Sequence, residues 1–366
     1  MFQVKLHHRS WVFSGTPLIL GTILLTIAAS GCARGYLNRS QGPNDLPTEV
    51  PRDIRAKFEI KDSQVVAPVP PLPTSVASAT PTPEVTVWPI AESQGKSGKT
   101  EKSVVAPVHP ARRARAQNGF VYPDRRPAKS PIWIGEQQVF EITYFGMVGG
   151  DFTLEVLPFK TIGDRKVYHA HCKGESSKVF SLFYRLSDIA ETFFDAEGFF
   201  GHRFHVVLDE TKQTRDSLEL YDSEKGQTFW WNRWNRVGRD YVETKEFFPI
   251  PPFSQDTFSA LYYLRTLDWG PGKVAVFPVV AEGRYWDAVI SYARREVLST
   301  PMGRISTIVL KLDTKYQGIL QKRGESFLWL SDDDRKIPVR LEARVRIGTV
   351  AGVLKKVQLG QPPAEE

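Results

Sequence analysis

The sequence predicts a mainly β domain: a large antiparallel meander that forms a strongly curved sheet or barrel, with one inserted helix at about residues 256–268 packed on or in it. Two observations support this prediction. From about residue 131 the chain is a series of short segments in which apolar and polar residues alternate, which is the period of a half-buried strand. The connections between these segments are short and rich in turn residues, and no helices alternate with them as they would in a parallel sheet.

The chain divides into four parts by composition. Its 366 residues have a net charge of +7, which favours anionic partners without naming one. Aromatic residues make up 12% of the chain and are concentrated in its second half, so that half can bury a sizeable core. The predicted parts are a signal peptide with a lipobox-like end at 1–32, a Pro-rich and partly basic disordered tether at 33–130, a β-rich domain at 131–358 and a disordered tail at 359–366.

The first 32 residues have the layout of a bacterial secretory signal peptide. A positively charged start precedes an apolar run over residues 11–29, and Ser30-Gly31-Cys32 follows. Small residues directly before a cysteine resemble the lipobox of bacterial lipoproteins, in which the cysteine is lipidated and becomes the mature N-terminus. Because Ala29 stands where the lipobox usually has leucine, an ordinary cleaved signal and an uncleaved membrane anchor stay as alternatives. We predict that Cys32 is lipidated.

The residue after this cysteine bears on the location of the protein. Position 33 is alanine and not aspartate, and by resemblance to the lipoprotein sorting pattern this favours the outer membrane over retention in the inner membrane. We therefore predict an outer-membrane lipoprotein that faces the periplasm and contacts the membrane through its N-terminal lipid anchor. A secreted or periplasmic protein is the alternative.

The segment 33–130 has the composition of a tether. About half of the prolines lie here among Ser, Thr, Ala and Val, and such a segment cannot bury enough apolar area to offset its ordering entropy. A flexible chain of this length has a mean span of about 55 Å. Residues 53–61 are predicted to form a short helical piece. The basic end of the segment indicates either a solvated linker or an arm for an anionic envelope polymer, and we expect no nucleic-acid partner. Its basic residues are Arg112, Arg113, Arg115, Arg125, Arg126 and Lys129.

The folded part begins near residue 131 with clear alternation. Phe140, Ile142 and Tyr144 point to one side of a strand, and their neighbours point to the other. Gly149-Gly150 is predicted to turn the chain into a second strand at 152–156, and residues 178–186 are predicted to form a helical turn. Further strands are predicted at 165–173, 189–195, 200–209, 215–221, 227–236, 240–247, 273–280, 284–297, 304–313, 326–331, 336–347 and 350–357.

The inserted helix has clear start and stop signals. Asp256 can cap its first turn, because the carboxylate accepts a backbone N–H that has no partner within the helix. Gly270-Pro271-Gly272 ends it, since proline cannot continue a helix and glycine tolerates left-handed turns. A helix that is apolar around most of its girth should be buried. Arg265 then needs an anionic partner or an opening to solvent, because a buried unpaired guanidinium is very unfavourable.

Three motifs in the folded part resemble those of a known family. They are Tyr144-Phe145-Gly146, the helix pattern Asp256-x-x-Ser259-x-x-Tyr262-x-Leu264-Arg265, and Phe327-Leu328-Trp329-Leu330-Ser331-Asp332-Asp333. Together they resemble the bacterial envelope proteins catalogued as domain of unknown function 3108, over about residues 132–356. The resemblance implies an exported β-rich domain, often behind a signal peptide. It implies no reaction or ligand, and so it assigns no catalytic residue.

The histidines of the folded part were the candidates for metal binding that we considered. His169 and His171 lie on one face of a strand, and Cys172 lies on the other. The spacing of these residues fits no standard zinc pattern. His202 and His205 lie on a later strand and should face opposite ways in it. We therefore expect no metal and no cofactor, and His169 and His171 are the candidate ligands if a metal is bound. Cys172 has no cysteine partner within the domain and is expected to be a small buried apolar residue.

An aromatic strand supplies candidate ligand-binding residues. Trp230 and Trp234 share one face of this strand, and tryptophan beside asparagine and arginine can hold sugar rings or lipid headgroups. Ordinary core packing is the alternative. Asp256, Tyr262 and Arg265 of the helix complete the predicted ligand-binding set.

Three functions stay open at the level of sequence. The first is a non-enzymatic binding or scaffolding lipoprotein of the cell envelope, which holds an apolar or amphipathic ligand and needs an apolar concave face with room beside the helix. The second is an envelope hydrolase that acts on cell wall or glycan, which needs a cleft where a carboxylate pair or His169 and His171 converge. The third is a structural tether between the outer membrane and peptidoglycan. We favour the first.

Overall fold

The computed structural model describes residues 46–47, 49–63, 115–117, 120–316, 319–344 and 348–363. The predicted signal peptide with Cys32 and much of the predicted tether lie outside these residues. Within the described residues, no helix is both long enough and apolar enough to cross a membrane.

The chain forms two short helices, one 3-10 turn and seventeen strands within the described residues. The elements before the central helix are α1 Arg52–Lys57, β1 Ile60–Asp62, β2 Arg115–Gln117, β3 Phe120–Tyr122, β4 Gln137–Tyr144, β5 Met147–Ile162, β6 Arg165–Ser176, the 3-10 turn Phe180–Leu182, β7 Ser187–Asp195, β8 Gly201–Glu210, β9 Gln213–Asp222, β10 Gln227–Arg236 and β11 Val242–Pro249. The central helix and the strands after it are α2 Thr257–Thr266, β12 Val274–Ala281, β13 Arg284–Thr300, β14 Gly303–Tyr316, β15 Ile319–Ser331, β16 Pro338–Arg344 and β17 Thr349–Gln358.

Fifteen strands form one antiparallel sheet, which confirms the predicted fold class. The order is β11-β10-β9-β8-β7-β6-β5-β4-β17-β16-β15-β14-β13-β12, and β1 also pairs with β5. Nearly all neighbours are consecutive in the chain. The exceptions among the described strands are β1 with β5 and β17 with β4, and the second of these joins the end of the domain to its beginning. The sheet therefore has β11 and β12 at its two edges, and the segment with α2 connects them.

The two edges of the sheet approach each other, which shows how strongly it is curved. The tip of the β12–β13 hairpin reaches β9, where the Gly283 amide donates to Glu219 Oε1 at 2.8 Å. Beside it Arg215 Nη1 lies 2.7 Å from Glu282 Oε1. The chain before α2 also links β12 to β8, because Gln255 bonds the backbone of β12 while the Ser254 carbonyl accepts from Gly201.

Helix α2 lies against the concave side of this sheet, in the place the sequence predicts. Asp256 Oδ1 accepts from the amides of Phe258 and Ser259 at 2.8 and 2.9 Å, and Ser259 Oγ accepts from the Asp256 amide at 2.9 Å. This reciprocal capping box satisfies donors that the first helical turn leaves without partners. At the other end Leu267 adopts an extended backbone. Apolar residues of β5, β6, β7 and β12–β15 pack with α2 in one buried cluster.

Helix α1 packs on the convex side of the sheet, where the structure differs from the predicted disordered tether. Val50, Ile54 and Phe58 are buried there with Phe193 and Trp231. Ile54 lies on the helix, and Val50 and Phe58 lie just before and just after it, so the three side chains cover apolar residues of the sheet that would otherwise face water. The proline-rich composition of the surrounding segment concealed this packing, although the predicted helical piece at 53–61 overlaps α1.

The basic end of the predicted tether also contacts the domain. Arg126 pairs with Asp124 at 2.6 Å, and the Arg125 guanidinium lies 5.3 Å from the centre of the Tyr263 ring. Arg125 and Arg126 therefore contact the domain and do not extend freely into solvent, as side chains of the predicted polymer-binding arm would. Arg112 and Arg113 lie outside the described residues.

The first hairpin of the domain differs from its prediction. The turn between β4 and β5 is formed by Phe145 and Gly146, which both have positive φ angles of 50° and 74°. Such a two-residue loop matches the twist of an antiparallel pair. Gly149 and Gly150, predicted to be the turn, lie within β5. A Cβ atom at Gly150 would overlap the carbonyl oxygen of Glu175, so glycine is needed there for the close approach of β5 and β6.

A candidate apolar binding site between the helix and the sheet

A cavity of about 240 Å³ lies between α2 and the concave face of the sheet. Its wall is mostly apolar and comes from strands on both sides of the helix. The side chains that form this wall include Phe140, Phe152 and Leu154 on one side and Phe277, Ile290 and Leu328 on the other. The room beside the helix that the binding hypothesis requires is therefore present.

One stripe of α2 forms the floor of this cavity. Thr257, Ala260, Leu261 and Leu264 all line it, and their spacing places them on a single face of the helix. The small side chain of Ala260 contributes to the space, as does Ala288 on β13. The opposite side of α2 is packed against the sheet without such a space.

The charged residues of the lining lie near the ends of β5, β6, β14 and β16, and we call this end of the cavity its mouth. Asp151 accepts from Lys355 Nζ at 2.6 Å, Glu175 lies 2.9 Å from Lys173 Nζ, and Asp313 lies 3.5 Å from Lys311 Nζ. Each acidic side chain of this mouth therefore has a cation beside it. The mouth also contains hydroxyl groups that can bond a polar headgroup, from Ser176, Thr314 and Ser326.

Arg265 faces away from the cavity and has the anionic partner that its burial requires. Its Nη1 and Nη2 atoms donate to the two carboxylate oxygens of Glu136 at 2.6 and 2.9 Å. Nη2 also donates to the Pro131 carbonyl at 2.7 Å, and Arg335 binds the same carboxylate. Burial alone lowers the pKa of Arg265, but the attraction of Glu136 raises it above its ordinary value. This cluster closes the packed side of the helix.

Asp256 and Tyr262 also have partners within the core. Thr192 Oγ1 donates to Asp256 Oδ2 at 2.6 Å, in addition to the capping bonds. Burial raises the pKa of Asp256 above its ordinary value in spite of these bonds. The Tyr262 ring stacks on Phe194 with ring centres 5.3 Å apart. Neither residue lines the cavity, and their predicted part in ligand binding stays a prediction.

Trp230 and Trp234 lie on β10, away from the cavity. Trp230 Nε1 donates to Ser217 Oγ at 3.0 Å, and Trp234 Nε1 donates to Gln213 Oε1 at 2.8 Å. The Trp234 ring also has the guanidinium of Arg236 at 3.9 Å from its centre. The structure thus gives both indoles partners inside the protein, and their predicted role as a platform stays untested.

The histidines of β6 lie on the convex side, with no connection to the cavity. His169 Nε2 lies 3.1 Å from Glu191 Oε1, and Glu191 pairs in register with both His171 and His205. Within the part of the chain that the structure describes, no group of three or more His, Cys, Asp or Glu side chains could hold a metal ion. Cys172 is buried on the other side of β6, and burial raises the pKa of its thiol.

The cavity itself was not located by sequence reasoning. Its lining comes from residues that are far apart in the chain, and its volume depends on where small side chains face each other. The one local signal was the helix stripe with alanine at its centre. Sequence reasoning instead singled out the polar and aromatic residues, which the structure places at the packed side of α2 and on β10.

Comparison with known proteins places the domain in a family. The model of the family described as "Protein of unknown function (DUF3108)" matches residues 139–355. This match confirms the resemblance that the three sequence motifs indicated. No curated protein matches the chain.

The solved structures that match the chain share little sequence with it. A β-barrel-like protein of domain of unknown function DUF1849 from Brucella abortus is 10% identical, with a TM-score of 0.38, and the match covers 64% of this chain and 99% of that one. A candidate lipoprotein from Parabacteroides distasonis is 11% identical, with a TM-score of 0.28 and coverage of 65% and 99%. A candidate exported protein with a YmcC-like fold from Bacteroides fragilis is 10% identical, with a TM-score of 0.27 and coverage of 65% and 98%.

Proposed function

The chain belongs to the DUF3108 family of proteins of unknown function, and from this premise we propose that it is a non-enzymatic binding protein of the cell envelope. Its β domain holds the apolar part of an amphipathic ligand in the cavity between α2 and the sheet. The polar part of the ligand lies at the mouth of the cavity.

The observation that supports this proposal most is the apolar cavity itself. Protein interiors are packed about as densely as organic crystals, with few voids larger than a water molecule. A space of about 240 Å³ beside a buried helix is much larger than such a void. It lies just below the range of about 300–1,000 Å³ of small-molecule sites, which suits one apolar chain better than a bulky ligand. Apolar cavities of this kind stay dry and take up apolar molecules.

The chemistry of the lining favours binding over catalysis. The acidic side chains of the mouth are each paired with a cation, as described above, and the strand histidines lie on the other side of the sheet. The hydrolase alternative needs a carboxylate pair or two histidines that converge in a cleft. The described lining of the cavity provides neither arrangement.

The proposal includes export and anchoring at the outer membrane, facing the periplasm. The signal-like N-terminus and Cys32 support it. Because residues 46–63 pack with the domain, Cys32 precedes the first described residue, Leu46, by fourteen positions. That length reaches at most about 50 Å when fully extended. A lipid on Cys32 would then hold the domain near the membrane. The predicted tether, which runs to residue 130, would allow a larger distance.

The structural tether between membrane and peptidoglycan remains the alternative for the basic segment. A pull-down with peptidoglycan, before and after deletion of residues 111–129, tests it. Equal binding by the two forms would rule out this segment as the contact.

Mass spectrometry of bound lipids tests the proposed function. The full chain is purified from bacterial envelopes and extracted with organic solvent, alongside an Ala260→Phe variant that fills the cavity. From the wild type we expect about one amphipathic molecule per protein molecule. From the Ala260→Phe variant we expect about tenfold less. A Val297→Phe variant is the matched control, because Val297 is exposed on β13 outside the cavity. Equal amounts in all three, or no bound molecule in any, would contradict the proposal.

A further inference from the structure

The segment between β6 and β7 exposes large apolar side chains to solvent. Leu182 and Phe183 are 81% and 80% exposed, and Val179 is 72% exposed. These residues lie in or directly beside the 3-10 turn Phe180–Leu182, whose first residue lines the cavity. Single exposed apolar residues are ordinary, but several large ones within five positions are not.

The neighbouring β4–β5 hairpin exposes a second group of apolar side chains. Phe145 and Met147 are 58% and 61% exposed, and Val148 is 48% exposed. The two groups form one surface, because the Ser177 amide donates to the Gly149 carbonyl at 2.8 Å. We call this surface the apolar rim and define it as Phe145, Met147, Val148, Val179, Leu182 and Phe183.

The apolar rim borders the mouth of the cavity. Gly149, Ser176, Phe180 and Leu186 belong to the hairpin and the segment that present the rim, and all four line the cavity. In an antiparallel meander every second connection lies at the same end of the sheet. The end of β16 therefore lies at this end too, and its last residue, Arg344, lines the cavity. A partner that covers the apolar rim would therefore also face the mouth of the cavity.

The charges around the rim suit an anionic surface. The acidic side chains of the mouth have cationic neighbours, so they present little net negative charge. Lys178 is exposed within the rim segment and adds a positive charge beside Val179. Lysine next to apolar residues can place its ammonium among lipid phosphates while its neighbours enter the apolar layer.

We infer that the apolar rim inserts into the interfacial layer of a lipid bilayer, with the mouth of the cavity facing the bilayer. An amphipathic molecule then passes between bilayer and cavity with its apolar chain shielded from water. The passage and the anchoring through Cys32 rest on the proposed function, whereas the exposed side chains and the charges of the rim support the docking without it. The bilayer is the occupant that fits both the charge around the rim and the short distance from Cys32 to the domain.

Photocrosslinking in the intact envelope tests the docking. A benzophenone amino acid replaces Leu182 or Met147 in the full chain, and Met302 serves as the matched control position. Met302 is 42% exposed in the turn between β13 and β14, at the opposite end of the sheet. We expect lipid adducts from positions 182 and 147, and about tenfold fewer from 302, since an interfacial surface lies only about 5–10 Å deep. Equal adducts at the three positions, or adducts mainly to protein at the rim, would overturn the inference.

A double variant, Leu182→Asp with Phe183→Asp, separates docking from binding. Both residues are exposed, so the variant should fold and unfold like the wild type, which thermal unfolding checks. We expect it to lose the lipid adducts at position 147 and to contain several-fold less bound lipid. Bound lipid in the wild type without adducts at the rim would overturn the docking and leave the proposed function standing. Adducts at the rim without any bound lipid would support the docking and overturn the proposed function.

Discussion

The two sides of helix α2 differ in what they contact. On one side Tyr262 and Arg265 are completely buried. Each of the three guanidinium nitrogens of Arg265 donates a hydrogen bond to an acceptor of the protein. On the other side Ala260, Leu261 and Leu264 border a cavity. One ten-residue helix thus has a side that holds the fold together and a side that leaves space.

We therefore expect the packed side of α2 to contribute mainly to the stability of the fold and the cavity side to contribute to the proposed binding. The buried cluster of Arg265, Glu136 and Arg335 links the packed side of the helix to the segments before β4 and after β15. The cavity side makes packing contacts of its own through Ala260 and Leu264, but it leaves space beside them. Substitutions on the two sides should therefore have different consequences, and the predictions below test this from the largest expected effect to the smallest.

Arg265→Met should cause the largest loss of stability. The variant keeps the volume of the side chain but removes the bidentate partner of Glu136, which is 1% exposed. Removing one partner of a buried ion pair destabilises a protein by about 3–5 kcal/mol. Chemical denaturation measures the free energy of unfolding.

The matched control for this variant is Arg295→Met. Arg295 pairs with Asp332 at 2.7 Å on the surface, and such exposed pairs contribute less than about 1 kcal/mol. Similar losses for the two variants would show that the cluster does not fix the helix.

Adding volume should distinguish the packed core from the cavity. Ala170 is fully buried in the packed cluster around α2, so Ala170→Leu should destabilise the domain by about 1–3 kcal/mol through overpacking. Ala260→Leu adds the same volume on the cavity side and should change the stability by less than about 0.5 kcal/mol, since both residues are strong helix formers. Thermal unfolding of the two variants checks this. An equal loss for both would mean that the cavity is not available space.

Loss of the helix cap should have a moderate effect. Asp256→Ala removes the acceptor of two helical amides and of the Thr192 hydroxyl. Loss of a cap reduces stability by about 1–2 kcal/mol. Asp256→Asn should restore most of the loss, because asparagine caps nearly as well. Bound lipid should stay unchanged in the asparagine variant, and a variant that lost its lipid while remaining folded would assign Asp256 to the binding site.

The same residue gives a smaller effect that depends on pH. Because burial raises the pKa of Asp256 in the folded state, its stabilising contribution is fully present below the ordinary value of 3.8 and is lost as pH rises through the raised value. Asp256→Asn has no such titration, so its free energy of unfolding should decline less than that of the wild type as pH rises from about 4 to 8. Urea denaturation at a series of pH values measures both proteins. If the free energy of unfolding declined equally with pH in the wild type and in Asp256→Asn, burial would not penalise the ionised carboxylate.

Local signals made much of the fold predictable from sequence. The bounds of α2 followed from Asp256 and the Gly270-Pro271-Gly272 stop, and the strands followed from alternation between short turns. The need of Arg265 for a partner also followed from its buried surroundings. Its partner did not, because Glu136 lies 129 positions away in the chain and many acidic residues could have met it.

The features that sequence reasoning missed depend on contacts between distant segments. The helical piece predicted at 53–61 overlaps α1, but its packing on Phe193 and Trp231 was missed, because the composition around it is that of a linker. Gly150 has the sequence context of a turn, and only the closeness of β6 shows why glycine is required. The cavity likewise is lined by residues from distant segments, among them the small side chains of Ala260 on α2 and Ala288 on β13.

The central claim is that the cavity side of α2 binds an apolar chain, and an equilibrium titration of the full chain with cis-parinaric acid tests it most directly. The fluorescence of this fatty acid rises in apolar surroundings. The account predicts saturable binding of one molecule to the wild type and to Val297→Phe, and binding about tenfold weaker, or 1.4 kcal/mol, for Ala260→Phe. Equal affinity of Ala260→Phe and the wild type, or the absence of saturable binding to the delipidated wild type, would contradict it.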